Sequence, residues 1–302
     1  MIIEMDSLMK NDTWTLVPKQ QSMNTIGSKW VFKLKRDSNG DVIKHKARLV
    51  AQGYSQIHGL DYNEVFSPVT KFPTIRILLV LSNIHDLEVH QMDVKTAFLN
   101  GQLDHEIYMD QPVGFEDPTK PDFICKLNKS IYGLKQSARC WNLTITQYLT
   151  SDGYIQCAAD DCLFTKIKDD KFIILCLYVD DVIPISNSTE LLREEKSKLC
   201  NKFEMTDNGD IDFILGMFIW RDRANHVLTI DQTRYLENIL KRFGMENCKP
   251  VGTPMEVGKH FVKAEDNDEL FDTKIYQQAI GCLTYASIIT RPDISVAVNT
   301  NL

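Results

Sequence analysis

The sequence predicts an α+β fold, and three observations carry that prediction. An aliphatic run, Ile173-Ile174-Leu175-Cys176-Leu177-Tyr178-Val179, resumes after two adjacent carboxylates as Val182-Ile183-Pro184-Ile185, the pattern of paired strands buried on both faces. Trp30–Lys35 and Val42–Gln52 alternate apolar and basic residues on either side of Ser38-Asn39-Gly40-Asp41, which reads as a β-hairpin. Apolar stripes at helical spacing fall between these strand patterns and after them.

Taken in order, Met1–Asn11 reads as a short amphipathic helix and Thr13–Pro18 as an extended piece. After the hairpin, Gly53–Thr70 is loop-like, and Pro73 opens a helix through Ile75, Leu78, Leu79 and Leu81. Leu87–Val94 is a strand candidate carrying Asp93 near its end, followed by a tight turn closed by Gly101. Ile107–Asp110 and Phe123–Leu127 are short strands, Leu134–Thr150 is a helix stopped at Gly153, and Cys162–Lys166 pairs with the central apolar strand. Thr189–Phe203 is a helix. Asp212–Trp220 and His226–Ile230 form a second hairpin, and Asp231 caps a helix running to Phe243 with Gly244 at its end. Pro250–Glu269 has linker composition, and a last apolar helix covers Ile275–Ile289.

The totals exclude several classes. The 302 residues are 43% hydrophobic and 25% charged, a globular balance with room for a core. No apolar run reaches membrane-spanning length and Met1–Lys10 lacks signal-peptide architecture, so the expectation is an intracellular, non-secreted chain without a membrane partner. Eight scattered cysteines without a C-x-x-C pair predict reduced, buried thiols. The net charge of −7 argues against nucleic acid at first, but Lys29–Val50 holds seven Lys/Arg and only two acids. That basic strip suits a phosphate-binding surface as well as it suits a solvated hairpin face.

Two ionised groups inside an aliphatic run are costly to bury without a counter-charge. A tight hairpin would push Asp180 and Asp181 to one end of a buried sheet, where a divalent cation neutralises them; an Asp-Asp turn in solvent is the plainer reading. Asp93, at a strand end, either converges on the same place or caps a helix. Three such carboxylates form an oxygen-only cage suited to hard cations and in-line phosphoryl transfer. No G-x-x-x-x-G-K-[ST], G-x-S-x-G, H-E-x-x-H or G-x-G-x-x-G motif competes as a catalytic site.

The residues then resemble a known family. Tyr178-Val179-Asp180-Asp181 is similar to the signature of reverse transcriptases, and its surroundings resemble the copia-type retrotransposon branch. The matching stretches, in order, are Trp30–Lys33, Lys46–Gly53, Phe66–Val69, Gln91–Gly101, Tyr108–Pro112, Ile131–Gln136, Phe213–Gly216 and Thr290–Ile294. The resemblance implies an RNA-directed DNA polymerase shaped as a right hand, with fingers, a palm with an antiparallel sheet, and a helical thumb. Fingers and palm would occupy 14–230 and a thumb-like or connection-like segment 231–302, ending before any ribonuclease H domain. It implies Asp93, Asp180 and Asp181 as catalytic ligands of Mg²⁺ (or Mn²⁺), Lys35 and Arg48 as contacts to the incoming dNTP, and Phe98 beneath its sugar. Lys135, Gln136, Leu215 and Gly216 would face primer and template.

Expected partners are an RNA or DNA template with its primer, dNTPs, and the integrase and ribonuclease H parts of a longer Pol polyprotein. The expected setting is a cytoplasmic virus-like particle or the nucleus. Four residues depart from the family pattern: Pro184 and Ser186 in the strand after the acidic pair, and Ser137-Ala138 after Gln136. A proline there removes a ladder amide, which a central strand rarely tolerates. Together with the abrupt end of the chain, it raises the alternative of a catalytically inactive remnant that binds nucleic acid or protein at most.

Overall fold

The computed structural model describes residues 1–36, 42–255, 258 and 272–300. Within them the chain forms a mixed α+β structure of several sheets and seven α-helices. The first half comprises α1 (Ile2–Lys10), β1 (Trp14–Pro18), β2 (Thr25–Ile26), β3 (Ser28–Arg36), β4 (Val42–Ala51), α2 (Phe72–Ile84), β5 (Glu88–Val94), β6 (Tyr108–Met109), β7 (Phe123–Leu127) and α3 (Ser137–Ser151). There follow β8 (Ile155–Cys157), β9 (Asp160–Lys168), β10 (Lys171–Tyr178), β11 (Asp181–Ser186), α4 (Thr189–Lys202), β12 (Met205–Asp210), β13 (Phe213–Ile214), β14 (Met217–Asp222), β15 (Val227–Asp231), α5 (Thr233–Arg242), α6 (Thr273–Ile289) and α7 (Ser295–Thr300). No described helix is long and apolar enough to cross a membrane.

The chain divides into two compact units, one of Met1–Thr70 with Glu88–Gly209 and one of Lys71–Leu87 with Asp210–Leu302. The first is built on a six-stranded sheet in the order β12-β5-β11-β10-β9-β8. Its aliphatic centre follows from the sequence run: Ile173, Leu175, Leu177 and Val182 are buried with Met92 and Phe164, beneath Trp141, Ile145 and Leu149 of α3 and Leu191, Leu192 and Leu199 of α4. Each such side chain contributes roughly 1.5–3 kcal/mol of burial. Ser188 starts α4 by accepting the Leu191 amide at 3.3 Å. A four-stranded sheet, β1-β7-β6-β2, and the β3-β4 hairpin complete this unit.

Pro184 lies buried in β11, opposite Leu175 of β10, with β5 on its other side. Against β5 the pairs Asp181↔Asp93 and Val182↔Met92 resume as Ile185↔Val89 and Ser186↔Glu88 in unbroken register. The two missing rungs, at Ile183 and Pro184, are those an amide at 184 would close. The proline therefore costs one hydrogen bond toward β5 and does not peel the strand away. Ser186 is fully buried, and its hydroxyl donates to the Phe172 carbonyl at 2.6 Å.

The second unit gathers α2, the three-stranded sheet β13-β14-β15 and the C-terminal helices. Arg221 of β14 donates to the Leu87 and Ser82 carbonyls at 2.6 and 2.8 Å, and Tyr285 of α6 donates to the Leu215 carbonyl.

Several sequence expectations shift. Asp212–Trp220 is not one strand, because Leu215 and Gly216 both take positive φ (50° and 79°) and fold it into β13 and β14. The polar strand β12 and the short β8 were unforeseen. Helix α3 begins at Ser137 and not at Leu134: Gly133 at φ +95° and residues 135–136 form turns before it. The residue that caps α5 is Gln232; Asp231 instead ends β15 and accepts the Thr233 amide. Of the eight free cysteines, 125, 140, 162 and 176 are buried, whereas Cys200 and Cys248 are exposed. The Ser38–Asp41 turn and most of the Pro250–Glu269 linker lie outside the described residues.

Candidate active site

The site grows from the register of two strands. Antiparallel pairing sets Asp181, the first residue of β11, directly opposite Asp93 near the end of β5. The Val94 amide donates to the Asp180 carbonyl at 2.8 Å, so Asp93 and Asp181 are a non-hydrogen-bonded pair, the kind whose side chains stand closest. Asp93 is thus a strand residue and not a helix cap; Thr96, with φ 53°, begins the following 3₁₀ turn.

Between β10 and β11 the connection is only Val179-Asp180, with Tyr178 paired to Asp181. Val179 takes φ +57°, a conformation that costs an L-residue about 1–2 kcal/mol and is harder still for a β-branched one. The turn is tethered from beneath. Trp141 of α3, 2% exposed, donates its indole N–H to the Val179 carbonyl at 2.6 Å, and the Thr70 hydroxyl donates to the Leu177 carbonyl at 2.6 Å.

Asp93, Asp180 and Asp181 are all half-buried. Burial pushes the Asp181 carboxyl above its ordinary value, the charges of Asp180 and Asp93 add to that, and an amide from Gln91 opposes it at 3.0 Å. The three carboxylates are not a closed cage, since their oxygens do not all lie within 4.8 Å of one another. As a donor set they are oxygen-only, mutually repelling and partly desolvated, which fits hard divalent cations and disfavours soft ones.

Asp93 and Asp180 open onto a cleft of about 570 Å³, with Asp181 beside them and outside its lining; the walls include Lys33, Lys46, Arg48 and Tyr132. The β3-β4 register explains its basic wall. Lys33 pairs with Lys46 and Val31 with Arg48, so alternate residues of both strands present cations to one face. The Arg48 guanidinium lies 4.7 Å from the Tyr132 ring centre, and the Tyr132 ring meets Phe98 edge-on at 4.7 Å. Burial raises the Tyr132 hydroxyl, so it stays protonated at neutral pH. Tyr132 is pinned in turn, because its carbonyl accepts the Ala51 amide at 2.8 Å and Gly133 beside it packs on the Ala51 backbone.

The remaining candidates are placed as follows. Lys35 pairs with Lys44 in the hairpin, and its side chain is outside what the structure describes. Phe98 is half-buried in the 3₁₀ turn after β5. Lys135 donates to the Tyr62 hydroxyl at 3.0 Å and lies over that ring. Gln136 is 2% exposed, donating to the Asp61 carbonyl and accepting from Gln56, so its polar atoms are engaged within the protein. Leu215 and Gly216 form the β13-β14 turn in the second unit. The sequence had not singled out Gln91 or Tyr132 as site residues, nor Trp141 as the tether of the turn. Gln91 carries a local signal, two residues before Asp93 on the same strand face; the other two arrive through long-range packing.

Carboxylates at a sheet end beside a cationic cleft suit phosphoryl-transfer chemistry. Residues 11–257 match the family described as Reverse transcriptase (RNA-dependent DNA polymerase). The chain belongs to that family, and the copia-type resemblance holds. It is 43% identical over 98% of its length to the retrovirus-related Pol polyprotein from transposon TNT 1-94 of Nicotiana tabacum, covering 23% of that protein. It is 39% identical over 98% of its length to the retrovirus-related Pol polyprotein from transposon RE2 of Arabidopsis thaliana, covering 20% of it. It is also 31% identical over 69% of its length to the putative transposon Ty5-1 protein YCL074W of Saccharomyces cerevisiae, covering 67% of it. The chain therefore spans about a fifth of the plant polyproteins it matches.

Proposed function

We propose that this chain is the RNA-directed DNA polymerase segment of a copia-type Pol polyprotein, adding deoxynucleotides to a primer 3′ end on an RNA or DNA template. The observation that supports it most is the register pairing Asp181 with Asp93, with Asp180 in the adjoining turn, at the mouth of a cleft walled by Lys33, Lys46 and Arg48. Mg²⁺ or Mn²⁺, when bound by the three aspartates, would acidify the primer hydroxyl and offset phosphate charge.

The chain's own residues supply the rest. Asp93, Asp180 and Asp181 hold the reacting phosphate's end of the cleft negative. Arg48, fixed over Tyr132, and Lys35 in the same hairpin would take the triphosphate tail. Phe98, braced by Tyr132, would press against the sugar and exclude a 2′-hydroxyl. Lys135 would meet template, Gln136 would act by holding the Gln56–Asp61 loop, and Leu215-Gly216 would position the primer. In this reading 14–230 are fingers and palm and 231–302 a thumb, within a right hand; integrase and ribonuclease H parts of the polyprotein are its partners.

Primer extension on an RNA template tests the proposal. Divalent-ion-dependent incorporation that falls about a hundred- to a thousandfold with Asp181→Asn is the expected result, by analogy with the loss of a main electrostatic stabiliser. Equal incorporation by wild type and Asp181→Asn would overturn it.

A further inference from the structure

Apart from Asp93 and Asp180, the cleft is lined by one more carboxylate among the described residues, Glu4, and nucleotidyl transfer has no task for it. Helix α1 delivers it. Leu8 is buried in the same core cluster as Leu49 of β4, and Glu4, one helical turn before Leu8, lies half-buried on the same face. Burial raises the Glu4 carboxyl above its ordinary value, while the Leu49 amide, Arg48 and Lys46 act in the opposite sense. The side chain shares the cleft wall with Arg48 and Lys46, within reach of their charges, at some desolvation cost.

We propose that Glu4 is a resident counter-anion of the triphosphate subsite: it stands beside Arg48 and Lys46, where a phosphate of the incoming nucleotide must seat, and gives way to it. This rests on the polymerase reading of the cleft. The consequence is a charge threshold. A nucleic-acid backbone offers one negative charge per phosphate and cannot outcompete a tethered carboxylate, whereas a triphosphate concentrates several charges on one cluster and can. Glu4 thereby keeps template or primer phosphates out of the nucleotide position, and it weakens nucleotide binding in doing so.

The test uses the full chain, with inorganic triphosphate as probe in calorimetric titrations at low salt. Glu4→Gln and Glu4→Ala are each expected to bind it about three- to tenfold more tightly than wild type, the scale of removing one partly solvated like charge. In primer extension the same variants should lower KM for dNTP by a similar factor with kcat unchanged, and a single-stranded oligonucleotide should become a better competitor of dNTP. Unchanged or weaker triphosphate binding in both variants, or no binding by any of the proteins, would overturn the assignment; weaker binding would mean that Glu4 orients Arg48. Tighter triphosphate binding in variants of a chain that incorporates no dNTP would refute the polymerase reading and leave the counter-anion in place.

Discussion

Trp141→Phe separates the scaffold of the acidic turn from its chemistry. The substitution deletes the indole N–H that holds the Val179 carbonyl at 2.6 Å and trims a side chain that is 2% exposed. The lost hydrogen bond is worth about 0.5–1.5 kcal/mol, at the low end because Val179 itself reaches solvent and its carbonyl can recover a water. The smaller ring leaves a void beside Phe203, against which Trp141 packs edge-on at 5.2 Å, and costs about 1–2 kcal/mol more. Global stability should therefore drop by about 1.5–2.5 kcal/mol, read by urea unfolding.

The more telling effect is local. Val179 stores about 1–2 kcal/mol of backbone strain at φ +57°, which the tether opposes. Without it the turn's populated geometry shifts, and kcat at saturating dNTP should fall about tenfold in protein that is still fully folded. Adding Val179→Gly, which removes the strain, should recover most of that loss. A kcat within twofold of wild type in the single variant, alongside the expected stability loss, would show that the indole does not hold the turn.

Three further outcomes are expected. Glu195 is 2% exposed and accepts from Tyr154, Lys166 and Lys198, so Glu195→Leu leaves the buried Tyr154 hydroxyl without its acceptor, while Lys166 keeps Asp152 and Lys198 keeps Glu194; the cost should be about 1–3 kcal/mol by chemical denaturation, and under about 0.5 kcal/mol would mean the network is ornamental. Gly133→Ala would place a methyl 2.1 Å from the Ala51 carbonyl oxygen at φ +95°, which should cost at least about 2–3 kcal/mol and raise KM for dNTP by moving Tyr132 and Arg48; a wild-type urea midpoint contradicts this. Burial pushes the Cys125 and Cys176 thiols up to about 12 and Cys162 up to about 11, so they stay protonated at pH 8. Iodoacetamide at that pH should modify exposed Cys248 and reach those three only in denaturant, as peptide mass mapping would record.

The heart of the candidate site was legible because its determinants are local. Aliphatic residues on both sides of Asp180-Asp181 and a strand ending near Asp93 each declare a carboxylate at a sheet end, and the pairing of β5 with β11 brings them together. Less local features escaped. Nothing in Met1–Asn11 signals that Glu4 reaches a cleft walled by β4, because that depends on Leu8 docking beside Leu49. The break at Leu215-Gly216 sits inside an apolar stretch whose pattern reads as continuous strand, since positive φ at a leucine leaves no mark in composition; only the family resemblance of Phe213–Met217 points to a turn there. Helix α2 precedes β5 in the chain yet belongs to the unit built from Asp210 onward, through contacts such as Arg221 to Ser82, whose partners are far apart in sequence. Pro184 misled in the other direction: its missing amide is a real loss, but the register on both sides of it is set by buried aliphatic residues and survives.

Iron-directed backbone cleavage tests the convergence of the three aspartates most directly. Fe²⁺ bound in place of Mg²⁺, with ascorbate and peroxide, should cut the chain at two separated places, around Asp93 and around Asp180-Asp181, and both cuts should vanish together with excess Mg²⁺ or with Asp181→Asn. Cleavage at only one of these places, or at both with no response to Asp181→Asn, would mean that the aspartates do not share a cation.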